Sequence, residues 1–255
     1  MEYKVNTSHP LTFRSTLGEQ AVIPRQAFVD AARETRKLAE KISEFPVNIF
    51  EILGMRNLSS FVGELFAASL KRSTGSLFKK NPHQDGYPDL LLMNEKGRQM
   101  YEQLAAAAMT RSKQPFSPFA NGGIEIKATC GSVPTPAVFA RKKLGVKPDI
   151  GDQRISVLQG YDWKAHHRET NNLVGILWDF IDQIPTVAAV FLSPDLTKDD
   201  WGKIVQPKEG GGKTTSVSIM KKEGVKKMYK NWVVVIDDQR YIKFLNQYNS
   251  DSLVK

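Results

Sequence analysis

Two apolar runs constrain this chain most: NLVGILWDFI at 172–181 and TVAAVFLS at 186–193, divided by a short connection that contains Pro185. Both are too short to cross a bilayer, and their β-branched and aromatic residues read as strands. NWVVVIDD (231–238) and RYIKFL (240–245) have the same character and are expected to form a terminal hairpin. The first half of the chain has a different period. Pro24 opens a segment in which Phe28, Ala31, Ala32, Leu38, Ile42 and Phe45 recur at helical spacing, and Pro46 stops or bends it. Further helices are expected over 47–55 and 58–71, the last with Leu58, Phe61, Val62, Leu65 and Ser69 on one stripe.

The period changes again at YPDLLLMN (87–94), a short apolar run bounded by Gly86 and Asn94, which reads as a strand. Asn94 is placed to cap a helix carrying Met100, Tyr101, Leu104, Ala105 and Ala108. A Pro/Ser/Gly-containing loop covers 111–123, and GIEIKATC follows it as a second strand. Helices first and strands after predict an α/β fold, a mixed central β-sheet flanked by helices with a mainly helical N-terminal part. No linker divides the 255 residues, so one domain is expected, with its core at about 58–130 and 172–245 and an insertion over 131–171.

Within GIEIKATC, Glu125 and Lys127 interrupt an otherwise buried pattern. Residues two apart on a strand point to the same side, so these two project together with Cα atoms roughly 6.5–7 Å apart. Ile124, Ile126 and Ala128 then face a core. Burying two charges is costly unless they are paired or bound to something. Asp89, near the start of the earlier strand, lies beside them if the two strands pair. Two carboxylates beside an ammonium suit a hard divalent cation such as Mg²⁺, which takes oxygen ligands and lowers the pKa of bound water. The plainer alternative is a solvated Glu–Lys pair with Asp89 as a turn residue.

Pro88-Asp89 followed by Glu125-Ile126-Lys127 resembles the motif of the PD-(D/E)xK nucleases, and the preceding helix LSSFVGELFAASL carries an acid, Glu64. Size, basic charge and a lone domain make a type II restriction endonuclease the most similar kind of member. The resemblance implies a restriction-endonuclease-like core. It implies that Asp89 and Glu125 hold Mg²⁺ with help from the Ile126 carbonyl, and that Lys127 contacts the attacking water and the scissile phosphate. Glu64 would join them as a further acid, although a solvent-facing position is the simpler reading of its helix.

Lys plus Arg number 36 and Asp plus Glu 27, a net charge of +9, which favours an anionic partner. GYDWKAHHRETNN (160–172) collects candidate DNA contacts in Trp163, Lys164, His166, His167, Arg168, Asn171 and Asn172. Arg can read guanine, Asn adenine, and Lys and His phosphate. Trp163 packed inward is the alternative. Arg141, Lys142 and Lys143 are candidate phosphate contacts, as is Lys213 in the glycine-rich loop KEGGGKTT. That loop is no P-loop, because Pro207 stands where the first glycine is required. Cys130 is the one cysteine, so neither an internal disulfide nor a cysteine zinc cluster forms within the chain. With no apolar leader in MEYKVNTSHP, a cytoplasmic protein is expected.

Together these readings predict a Mg²⁺-dependent endodeoxyribonuclease that cuts double-stranded DNA to 5′-phosphate ends. A homodimer would match a palindromic site, and a separate cognate DNA methyltransferase would protect the host. The alternatives are a repair or junction-resolving nuclease with the same core, a non-catalytic basic DNA-binding protein, and an enzyme that does not act on nucleic acid.

Overall fold

A computed structural model describes residues 1–8, 11–160, 163–165, 172–193, 195–206 and 217–247. Three short strands precede the first helix: β1 (Tyr3–Val5), β2 (Thr12–Arg14) and β3 (Gln20–Val22). They break the expected helical start. Two helices follow, α1 (Arg25–Ser43) and α2 (Ile49–Ser73). The helices expected at 47–55 and 58–71 are joined in α2, which starts two residues later than expected and breaks at Gly54 (φ 63°), a positive φ that glycine adopts without penalty. Asn48 caps α2 by accepting from the Phe50 and Glu51 amides. Phe45 falls beyond the end of α1 and is exposed rather than part of its stripe.

The chain continues through β4 (Phe78–Lys80), β5 (Leu90–Leu92), α3 (Glu95–Ala106), β6 (Gly123–Thr129), α4 (Pro136–Lys142) and β7 (Lys164–Ala165). It ends with β8 (Leu173–Ile181), β9 (Ile184–Leu192), β10 (Ser218–Ile219), α5 (Lys222–Lys230), β11 (Trp232–Ile236) and α6 (Gln239–Asn246). Asn94 caps α3 as expected, accepting from Gly97. RYIKFL is a helix, not a strand. The Asp238 carboxylate accepts from the Arg240 amide at its start, and Tyr241, Ile242, Phe244 and Leu245 bury one helical face.

Seven strands form one mixed sheet in the order β1-β11-β9-β8-β6-β5-β4. Only the β6–β8 pair is parallel; the other neighbours run antiparallel. Asp182 and Gln183, both at positive φ, make the tight turn of the β8–β9 hairpin. Both faces of the sheet are covered. Ile124, Ile126, Val174, Ile176 and Trp178 pack with Phe28 of α1 and Val62 and Phe66 of α2. Leu173, Leu177 and Phe191 pack on the other face with Met228 and Tyr229 of α5 and Tyr241 of α6.

The described part of 131–171, residues 131–160 and 163–165, is tied into this second layer. Ile155, Trp163 and Ala165 belong to its core. Trp163 lies across Gly175 of β8, where an added Cβ would come within 2.7 Å of the indole ring. The buried Asp179 carboxylate of β8 holds the same segment. It accepts from the Arg154, Ile155 and Phe180 amides and from the Tyr241 hydroxyl. No described helix is long and apolar enough to cross a membrane.

Candidate active site at the parting of two strands

β5 and β6 do pair, but briefly. Leu91 faces Gly123 and Leu90 faces Ile124, and there the ladder ends. From Glu125 to Thr129, β6 continues to pair with β8 on its other edge. One edge of β6 is therefore open from Glu125 onward. Asp89, the residue before β5, places its carboxylate against that edge. Its Oδ2 accepts the Ile126 N–H at 2.7 Å, standing where the next backbone carbonyl of a longer β5 would be. The N–H and C=O of one strand residue point to the same edge, so the Ile126 carbonyl faces the same opening.

α2 closes the opposite wall. Its small residues allow a close approach, with Gly63 set directly over Ala128. The resulting cleft of about 240 Å³ is lined by Ser59, Ser60, Gly63, Glu64 and Ala67 from α2 and by Asp89, Ile126, Lys127 and Ala128. Two larger hollows, of about 340 and 430 Å³, lie elsewhere, at Tyr87–Pro118 and at the α1–α2 connection. Neither gathers acids beside a lysine.

Glu125 and Lys127 share one side of β6, as their spacing requires. The Lys127 ammonium contacts Glu125 Oε1, and the Glu125 side chain is only 6% exposed. Burial and the neighbouring Glu125 charge push the Asp89 carboxyl up to about 7, against the pull of Lys127 and the Ile126 amide. Burial works against the Lys127 ammonium, but Glu125 and Asp89 outweigh it and hold it above the usual lysine range. Glu64 stands at the exposed rim, paired at 2.6 Å with Lys80 of β4, and its charge reaches both Asp89 and Lys127.

The structure thus brings Asp89, Glu125, Ile126 and Lys127 together, with Glu64 at the rim. Asp89 and the Ile126 carbonyl offer oxygens at the open strand edge, and Glu125, which does not line the cleft, lies close enough for its charge to act on Asp89; oxygen donors of this kind fit Mg²⁺. Among the described residues no three His, Cys, Asp or Glu side chains gather to hold a metal, so a cation here would rely on that carbonyl and on water. Cys130 is a poor nucleophile, since burial pushes its thiol up.

The expected DNA contacts fare unevenly. Arg141, Lys142 and Lys143 are exposed at the end of α4, with Lys143 in the left-handed region. Lys164 is exposed on β7. Trp163 is not a surface reader; it is 1% exposed and packs edge-on against Phe191 at 5.4 Å. Asn172 is also engaged internally. It donates to the Arg14 and Gly123 carbonyls, accepts from the Arg14 amide, and sits at φ 59°, which asparagine tolerates. His166, His167, Arg168, Asn171 and Lys213 lie outside the described residues.

Sequence reasoning missed Lys80 and Asn81. Lys80 reads as an ordinary edge-strand lysine, and Asn81 as the first residue of an Asn-Pro turn. The chain matches no protein-family model, no curated protein and no solved structure.

Proposed function

We propose that the chain is a Mg²⁺-dependent endodeoxyribonuclease with a restriction-endonuclease-like core, and that it cuts double-stranded DNA at a short specific sequence. One observation carries the reading. Asp89, Glu125 and Lys127, 36 and 38 residues apart in the chain for the acid pair and the acid–lysine pair, converge where β5 leaves an edge of β6 open. A purely structural ion pair needs neither the second buried carboxylate nor a cleft beside it.

Asp89, Glu125 and the Ile126 carbonyl would hold the cation. The cation supplies charge neutralisation at the phosphate and a more acidic bound water. Lys127 is fixed by Glu125 as an ammonium, so it can donate to the attacking water or to a phosphate oxygen on which negative charge builds. The pairing of Asp89 with the Ile126 amide fixes the carboxylate on the strand edge before substrate arrives. Glu64 at the rim would be a further acid of the site, adding negative charge beside Asp89 and Lys127. Water attacks phosphorus, the 3′ oxygen leaves, and the 5′ phosphate stays on the product.

The net charge of +9 and the exposed Arg141-Lys142-Lys143 cluster support DNA as the anionic partner. One site per chain cuts one strand, so a homodimer would cut both, with a cognate methyltransferase shielding host DNA.

Incubation with large unmethylated DNA and Mg²⁺ tests substrate choice. Discrete bands support a site-specific enzyme. Cleavage confined to branched or mismatched duplexes would move the protein to repair. Intact DNA of every kind would remove the nuclease reading.

A further inference from the structure

The connection between β4 and β5, NPHQDGYP, contains two prolines and a glycine and has no regular structure of its own. Yet it must present Asp89 to the Ile126 amide with hydrogen-bond accuracy. One buried side chain organises it. Asn81 is 7% exposed, and its whole carboxamide is in use. Nδ2 donates to the Pro88 carbonyl at 3.0 Å and to the Phe116 carbonyl at 2.9 Å. Oδ1 accepts from the His83 amide at 3.0 Å. The backbone N–H of Asn81 donates to the Asp89 carbonyl at 2.9 Å.

Asn81 therefore grips the two consecutive carbonyls, of Pro88 and Asp89, that flank the Asp89 Cα. The turn at His83–Gly86 closes onto the carboxamide, because a Cβ on Gly86 would lie 2.3 Å from Asn81 Oδ1. The Phe116 carbonyl also accepts from Tyr87, and Phe119 donates back to Tyr87, so the 113–119 loop is fastened to the same point. Asn81 does not line the cleft.

We propose that Asn81 is a positioning residue for the candidate active site: it sets the Asp89 carboxylate on the open edge of β6 and thereby tunes cation affinity and turnover without touching substrate. The inference rests on the nuclease reading for its functional half, while its structural half, the placement of Asp89, stands separately. Groups that orient a metal ligand from behind are commonly worth about tenfold to a hundredfold in metal affinity or activity.

The test uses the full chain and two variants. Asn81→Ala removes the carboxamide. Asn81→Ser keeps a hydroxyl that can replace at most one of the two donated bonds without adding charge, and serves if the alanine variant fails to fold. Mg²⁺ binding is followed by calorimetry without DNA, cleavage is split into kcat and KM, and the Ile126 amide is followed by hydrogen exchange. The expected result is Mg²⁺ affinity and kcat lower by about tenfold or more, KM for DNA within about twofold, and faster exchange at Ile126 while the β8 amides keep their protection. A merely structural role would speed exchange across the sheet and leave Mg²⁺ affinity alone. Mg²⁺ affinity, kcat and Ile126 exchange all close to wild type would overturn the inference. If wild-type protein neither binds Mg²⁺ nor cuts, the nuclease reading falls, and Ile126 exchange alone decides whether Asn81 positions Asp89.

Discussion

The Asp89 carboxylate accepts the Ile126 backbone N–H at 2.7 Å at the point where β5 stops covering the edge of β6. A side chain has taken the place of a strand. The substitution opens a cleft, and it confines a carboxylate beside a second one. Proteins commonly give up stability to hold such groups together at working sites.

Replacing Asp89 by Asn should therefore stabilise the fold while ending any cleavage. Asn keeps an oxygen for the Ile126 amide and removes a buried charge that Glu125 repels. The gain at pH 8 should be on the order of 1–2 kcal/mol, read as a higher Tm or denaturant midpoint. A loss of stability would mean that Asp89 is a structural anchor.

The same carboxyl predicts the pH response. Its folded-state value of about 7 lies above the ordinary 3.8, so between these values the folded chain keeps a proton that the unfolded chain has released. The stability contributed by this group is present at the acid end and lost as pH rises through 7. Mg²⁺ competes with that proton, so Mg²⁺ affinity should rise from pH 6 to pH 8. Urea midpoints measured with and without Mg²⁺ from pH 4 to pH 8 check both slopes. In Asp89→Asn the stability slope should flatten.

Trp163 gives a prediction that separates packing from recognition. It is buried against Phe191 and across Gly175. Trp163→Ala should cost about 3–5 kcal/mol in chemical denaturation and leave the duplex affinity of the folded variant unchanged. Weaker duplex binding by a variant of wild-type stability would return Trp163 to the surface.

The charged end of α4 should behave in the opposite way. Arg141, Lys142 and Lys143 are exposed, so changing all three to Glu should leave Tm within about 2 °C. If all three meet phosphates, the slope of log affinity against log salt should fall by about 3. A fluorescence titration of duplex DNA without divalent cation isolates the effect from cleavage.

Much of the site was legible because its logic is local. Alternation along GIEIKATC puts Glu125 and Lys127 on one side, and the apolar flanks of Asp89 mark a strand that pairs with it. The two helices of α2 were legible as separate segments, 47–55 and 58–71, but the break falls at Gly54, inside the first of them, and not in the gap at 56–57. RYIKFL was misread because its apolar residues fit a strand, while its helix depends on the Asp238 cap and on a face buried against β11. Trp163 sits among polar neighbours, and only the missing side chain at Gly175, twelve residues on, makes its inward packing possible. Asn81 was illegible for a similar reason: its partners lie 7 and 35 residues away, and they are backbone carbonyls that carry no sequence signal.

The most direct test places wild-type protein, Asp89→Asn and Lys127→Ala side by side on unmethylated supercoiled DNA with Mg²⁺. Two features are read: nicking or linearisation, and the Tm shift that Mg²⁺ produces. The account predicts cleavage by wild type alone. It also predicts a Mg²⁺-dependent rise in Tm for wild type and Lys127→Ala that is absent in Asp89→Asn. Cleavage that survives in both variants, or wild-type protein that neither cuts nor responds to Mg²⁺, would contradict it.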